Sequence, residues 1–193
     1  ITGFAFATMN KILGTFRRNL IGNVRSKAKL KNITREIFGE NTGDVSAKEF
    51  AQAWTQTSEM LRKRANRAGA NIANRKDWGL PQMHNRFAIS KAGREKWLTN
   101  IAPLLDRKKM IDQTTGIPFN DLQLEIALTD VYDAIVTDGF NKLNPGAGGR
   151  GKSLGNARQD HRFLVFKDAN SWMKYQDQFG DANVFDTMIS HVK

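Results

Sequence analysis

The stretch Ser46-Ala47-Lys48-Glu49-Phe50-Ala51-Gln52-Ala53-Trp54-Thr55-Gln56-Thr57-Ser58-Glu59-Met60-Leu61-Arg62-Lys63-Arg64 decides the fold class. Ser46 and Glu49 stand at capping-box spacing, the pairing that satisfies free N–H groups at a helix start. Behind them Phe50, Ala53, Trp54, Thr57, Met60 and Leu61 recur at three- and four-residue steps, one face of a helix. The basic residues Arg62, Lys63, Arg64 and Arg67 suit the negative pole at its far end. Gly69 weakens continuation, whereas Ala65, Ala68, Ala70, Ile72 and Ala73 permit a further turn or two.

The same period recurs on both sides of this segment. Upstream, residues 39–43 read as a turn, and residues 1–21 place Phe4, Met9, Ile12, Leu13, Phe16 and Leu20 on one helical side. Downstream, Gly79 and Pro81 punctuate a loop that carries Trp78 and Leu80 toward a core. Ser90, followed by Gly93-Arg94-Glu95-Lys96-Trp97, starts another helix, which Pro103 interrupts. After polar turn residues 112–116, Asn120 opens a helix through Leu124, Leu128 and Tyr132 that runs to Thr137 or Asp138. Residues 144–156 hold five glycines and read as a flexible loop. Residues 162–166 are a candidate short strand, Ala169 to Gln178 a helix, and Val184, Phe185, Met188 and Ile189 a last helical face. The expected class is mainly α: an irregular multi-helical module with long loops and at most a short strand or hairpin. Its expected parts are a basic helical segment, 1–70, and a helical module, 71–193.

Composition narrows the function. The chain has 193 residues, a formal net charge of +11 and a 40% hydrophobic share, too apolar for a charge-dominated disordered chain. Without cysteine it has no disulfide, thiolate nucleophile or cysteine-ligated metal. No apolar run approaches the ~20 residues of a membrane-spanning helix. It begins at Ile1 rather than methionine, which fits a piece of a longer protein.

Charge is unevenly distributed. Residues 1–110 hold 22 basic and 8 acidic side chains, so the excess of positive charge belongs to them. Residues 11–35 include Arg17, Arg18, Arg25, Lys27, Lys29 and Lys31 without one acid, and residues 60–76 are acid-free as well. Such segments attract polyanions or anionic membranes, with a salt-sensitive force. The plainer alternative is a solvated helical face, balanced by acids elsewhere in a larger protein.

Reactive chemistry finds little support. Residues 146–153, ending in Gly151-Lys152-Ser153, fit the phosphate-loop pattern literally. The preceding Phe140-Asn141-Lys142-Leu143-Asn144-Pro145 makes a poor strand, and Gly155-Asn156 a poor helix start, so a linker is expected. His84, His161 and His191 lie far apart and outside any metal-binding spacing; with Asp160 and Asp186 they would need convergence in space to hold a metal. No serine stands in a nucleophile elbow, and Asp130/Asp133 read as an exposed helical face. Neither catalysis nor a cofactor is expected.

Several stretches carry a resemblance. Asp77-Trp78-Gly79-Leu80-Pro81-Gln82-Met83-His84 is followed by Gly93-Arg94-Glu95-Lys96-Trp97 and Leu105-Asp106-Arg107. Later come His161-Arg162-Phe163-Leu164-Val165-Phe166-Lys167-Asp168-Ala169, Trp172-Met173-Lys174-Tyr175 and Phe185-Asp186-Thr187-Met188-Ile189-Ser190-His191. Together, over residues 71–193, these resemble a helical region of the large internal virion, or DNA-ejection, proteins of tailed bacteriophages. The resemblance implies a non-enzymatic structural fragment of a longer chain, carried inside the virion and delivered toward the host cell envelope. It implies further copies or other virion proteins as partners, with portal or tail proteins, DNA and the host membrane as additional candidates. It marks Trp78, Pro81, His84, Trp97, His161, Arg162, Phe166, Asp168, Trp172 and His191 as structural signature residues and assigns none a catalytic step. Two other expectations remain open: a DNA-binding virion or packaging component, and a non-catalytic part of a large virion-associated enzyme.

Overall fold

A computed structural model of the chain describes residues 27–69, 74, 80–112, 115–138, 164–181 and 188. Its architecture is mainly helical, as the sequence periodicity predicts. Among the described residues there are six α-helices and no strand. They belong to two units, divided between Leu80 and Pro81, with Met188 grouping with the first. This division lies downstream of the expected 70/71 boundary.

In the first unit, α1 (Lys27–Ile37) and α2 (Val45–Arg67) pack against each other across the turn at 38–44. Their shared core holds Ile33, Thr34, Phe50, Trp54 and Thr57, each no more than 2% exposed. The turn is fixed by one carboxylate: Glu36 Oε1 accepts from Thr42 N–H at 2.6 Å and from Thr42 Oγ1 at 2.7 Å. Asp44, rather than Ser46, caps α2. Its Oδ1 accepts from Ala47 N–H at 3.1 Å while its Oδ2 accepts from Asn32 of α1 at 3.2 Å. One acid therefore starts the second helix and ties it to the first, a double role that capping-box spacing alone does not reveal. The helix ends near the expected glycine. Ala68 caps it, and Gly69 adopts φ +97°.

Among the described residues, the second unit holds four α-helices. Its helices are α3 (Arg86–Ala92), α4 (Arg94–Ile101), α5 (Asp121–Val136) and α6 (Ala169–Phe179). Helix α3 is capped by Asn85, whose Oδ1 accepts from Ala88 N–H at 2.9 Å. Ser90 lies inside this helix, so the expected start there is replaced by a break at Gly93. The break has φ 82° and ψ 158°, a conformation hostile to any residue with a Cβ. Pro103 converts the end of α4 into a 3₁₀ turn, Ala102–Leu104. Helix α5 starts at a reciprocal capping box. Asn120 Oδ1 accepts from Gln123 N–H at 2.8 Å, and Gln123 Oε1 accepts from Asn120 N–H at 3.0 Å. It packs on α3 and α4 through Leu124, Ala127, Leu128 and Tyr132.

Residues 162 and 163 of the candidate strand lie outside the described residues; its described part, 164–166, forms an isolated antiparallel bridge, Leu105 with Phe166. Asp106 N–H donates to Val165 O at 2.7 Å, and Lys167 N–H donates to Leu104 O at 3.0 Å. Asp168 then caps α6 through Ser171 N–H at 2.7 Å, which turns the chain from extended to helical. Trp172, Tyr175 and Phe179 of α6 are buried, with Phe166 and Phe179 each against the Tyr175 ring.

Candidate polyanion interface

The expected basic face falls on three parts of the first unit. Arg17, Arg18 and Arg25 lie outside the described residues, as does the side chain of Lys27. On α1, Lys31 is exposed, whereas Lys29 is half-buried and lends its charge to Asp44. Burial works to raise the Asp44 carboxyl, but the Ala47 N–H, the Asn32 amide and Lys29 together hold it below the usual range. Lys29 therefore serves the helix pair as well as its surface.

The far half of α2 differs from its first half. The helix has 23 residues against 11 in α1, an excess of about 12 residues or 18 Å at the α-helical rise. Its buried residues run from Ala47 to Thr57 and stop there. Beyond this point Leu61 and Ala65 are half-buried. Arg64 and Arg67 are exposed. Lys63 is 61% exposed at its side chain and Arg62 only 20%.

Glu59 accounts for that contrast. Its carboxylate accepts from Arg62 Nε at 2.7 Å and from Arg62 Nη2 at 2.8 Å, the two-pronged arrangement in which Arg and carboxylate match. Lys63 Nζ lies 3.6 Å from the same Glu59. The Arg62 hydrogen bonds, with the added charges of Arg62 and Lys63, hold the Glu59 carboxyl down to about 2. Of the four expected cations of this segment, Arg62 is thus directed inward to Glu59, Lys63 is shared, and Arg64 and Arg67 face solvent. The spacing of Glu59 to Arg62 and Lys63, three and four residues, is the sequence signal for this pairing.

Six of the expected signature residues are described, all in the second unit. His84 meets Tyr175, Pro81 is half-buried, and Trp97, Phe166 and Trp172 are at most 6% exposed. Asp168 is the exposed cap of α6. Trp78, His161, Arg162 and His191 lie outside the described residues, together with Asp160, Asp186 and the glycine-rich segment 144–156. Among the described residues no three or more His, Asp and Glu side chains gather to hold a metal, and no helix is long and apolar enough to cross a membrane.

One open groove of about 800 Å³ lies in the second unit, which sequence patterning does not disclose. Leu98, Leu105, Leu124 and Leu128 supply apolar lining, and Asp106, Arg107, Lys108, Asp121, Glu125 and Lys167 supply charge of both signs. Arg107 pairs with Asp121 at 2.5 Å, and Lys167 donates to Pro103 O at 2.7 Å. Two of the three lining cations, Arg107 and Lys167, are thus engaged within the second unit. Compared with known protein families, with curated proteins and with solved structures, the chain matches none.

Proposed function

We propose that this chain is a non-enzymatic helical module of an internal virion protein of tailed bacteriophages, acting in genome ejection through assembly with virion proteins and contact with polyanion. The family assignment rests on the dispersed sequence resemblance over residues 71–193. The contact reading rests on one observation above all: Arg64 and Arg67 are exposed on a stretch of α2 where its buried stripe has ended. Charge placed there is accessible to a partner and makes no demand on the helix-pair core.

The second unit supports the structural part of the reading. Its signature side chains Trp97, Phe166 and Trp172 serve packing, and Asp168 serves helix capping. Expected partners are further copies of the chain or other virion proteins, including portal or tail proteins, with DNA and the host membrane as the polyanionic surfaces. The expected location is the virion interior, followed by delivery toward the host envelope.

Mass spectrometry of intact virions, and of particles that have released their genome, tests this reading. The full-length protein should be present in the first and depleted in the second. Its absence from intact virions overturns the proposal. Retention in emptied particles instead favours the DNA-packaging alternative over ejection.

A further inference from the structure

We infer that the second half of α2 is a phosphate-backbone contact for duplex nucleic acid, carried by Lys63, Arg64 and Arg67 and limited by Glu59, which occupies Arg62. This deepens the proposed function and rests on it for its setting in the virion.

The choice of nucleic acid over a bilayer follows from what accompanies the cations. An interfacial helix binds membrane by burying apolar side chains beside its basic ones. Among the described residues, the exposed large apolar side chains are Val45, Phe87, Ile117, Leu122 and Ile126. Only Val45 belongs to α2, and it stands in the first turn, at the opposite end from Arg64 and Arg67. Among the described residues, the basic end presents charge without an exposed large apolar side chain beside it. Phosphate contact needs only that charge, because neutralising phosphates releases condensed counterions.

Spacing supports the same partner. Lys63 and Arg67 are four residues apart and lie about 6 Å apart along the helix axis, with Arg64 between them. Their long side chains reach successive phosphates without entering a groove. Such contacts position a protein on a duplex and carry no base information. Binding should therefore be insensitive to base sequence.

Glu59 sets the strength of the contact. Its two oxygens receive Arg62 through paired hydrogen bonds, the same geometry with which a guanidinium receives phosphate. An incoming phosphate must displace Glu59 to recruit Arg62, and its negative charge is repelled by the carboxylate. Neutralising Glu59 while keeping its shape removes the competition.

The test uses the full chain, a mixed-sequence duplex of about 30 base pairs, and vesicles of phosphatidylcholine with phosphatidylserine. For Arg64→Ala with Arg67→Ala, the slope of log affinity against log salt should fall by about 1.8, near 0.9 for each lost contact. Glu59→Gln should bind DNA several-fold more tightly and steepen the slope by up to about 1. A second duplex of different base order should bind equally. Circular dichroism controls for helicity, which alanine preserves. An unchanged slope in the double variant, or unchanged or weaker binding by Glu59→Gln, overturns the inference. So does preferential vesicle binding lost in the double variant. None of these outcomes bears on presence in the virion, so this inference and the proposed function fail separately.

Discussion

The His84 imidazole and the Tyr175 hydroxyl meet at 2.7 Å, Nδ1 to Oη, with their rings edge to face at a centroid distance of 5.7 Å. This contact joins the segment that enters the second unit to the middle of α6. Tyr175 is fully buried. Burial pushes its hydroxyl above the ordinary tyrosine range, with the Trp97 indole acting in the opposite direction.

Removing the hydroxyl leaves the ring packing in place and deprives His84 of a partner. Tyr175→Phe should lower unfolding stability by about 1–3 kcal/mol, measured by urea denaturation. The raised ionisation also has a sign. Stability linked to the neutral phenol is present below the unfolded value near 10 and is lost as pH rises through the higher folded value. Ultraviolet titration should show phenolate from Tyr175 appearing only above the ordinary range, together with loss of near-ultraviolet circular dichroism.

The first unit should be sensitive at the acid end. The Thr42 N–H and hydroxyl hold the Glu36 carboxyl below its ordinary value, and Asp44 is lowered by the net effect already described. Groups with depressed folded values stabilise above their unfolded values, 4.5 for Glu36 and 3.8 for Asp44, and lose that contribution as pH falls through the folded ones. Protection of α1 amides, taken relative to their intrinsic exchange rate, should fall below about pH 4.5. In Glu36→Gln the Glu36-dependent part of this loss should be absent.

Capping of α6 predicts a local loss. Asp168→Ala removes the acceptor of Ser171 N–H and should destabilise the second unit by about 0.5–2 kcal/mol. Asp168→Asn retains an acceptor and should lose less, by thermal or urea unfolding.

Two glycines should resist alanine for different reasons. At Gly93 an added Cβ meets no atom within 4 Å, yet φ is +82°, so Gly93→Ala should cost about 1–3 kcal/mol through backbone strain. At Gly180 the backbone is ordinary, but the Cβ would stand 2.6 Å from Gln176 O, near backbone that cannot swing aside. Gly180→Ala should cost about 1–3 kcal/mol through overpacking. Equal stability of either variant and the parent in denaturant unfolding contradicts the corresponding mechanism.

Sequence reading reaches furthest where one local signal fixes one local event. Asn120 and the apolar period through Leu124, Leu128 and Tyr132 announce α5, and the apolar period of Trp172, Met173 and Tyr175 announces α6, because the period persists along each helix. It fails where competing signals overlap. Ser46 has capping-box spacing, but Asp44 is bound to Asn32 in the other helix, a tertiary contact that settles the cap. Helix α3 is seven residues long and offers too little period to be read alone. Within the described part of the candidate strand, 164–166, the apolar pattern yields one bridge, and Asp168 turns the chain into α6. For the interface, basic composition is legible, while the division between engaged Arg62 and exposed Arg64 depends on where α1 stops covering α2.

The contact between His84 and Tyr175 also has a temporal meaning. The two residues are 91 positions apart, and the nearby bond from Asn85 N–H to Phe179 O, 2.7 Å, spans a similar interval. During synthesis at about 5–20 residues per second, the entering segment waits roughly 5–20 s before its partners are made. Helix α4 emerges in that interval without α6, leaving Trp97 short of its final surroundings. A ribosome paused before residue 164 should therefore display a nascent second unit that lacks α6 and whose entry segment is still undocked, a window in which another protein can engage it.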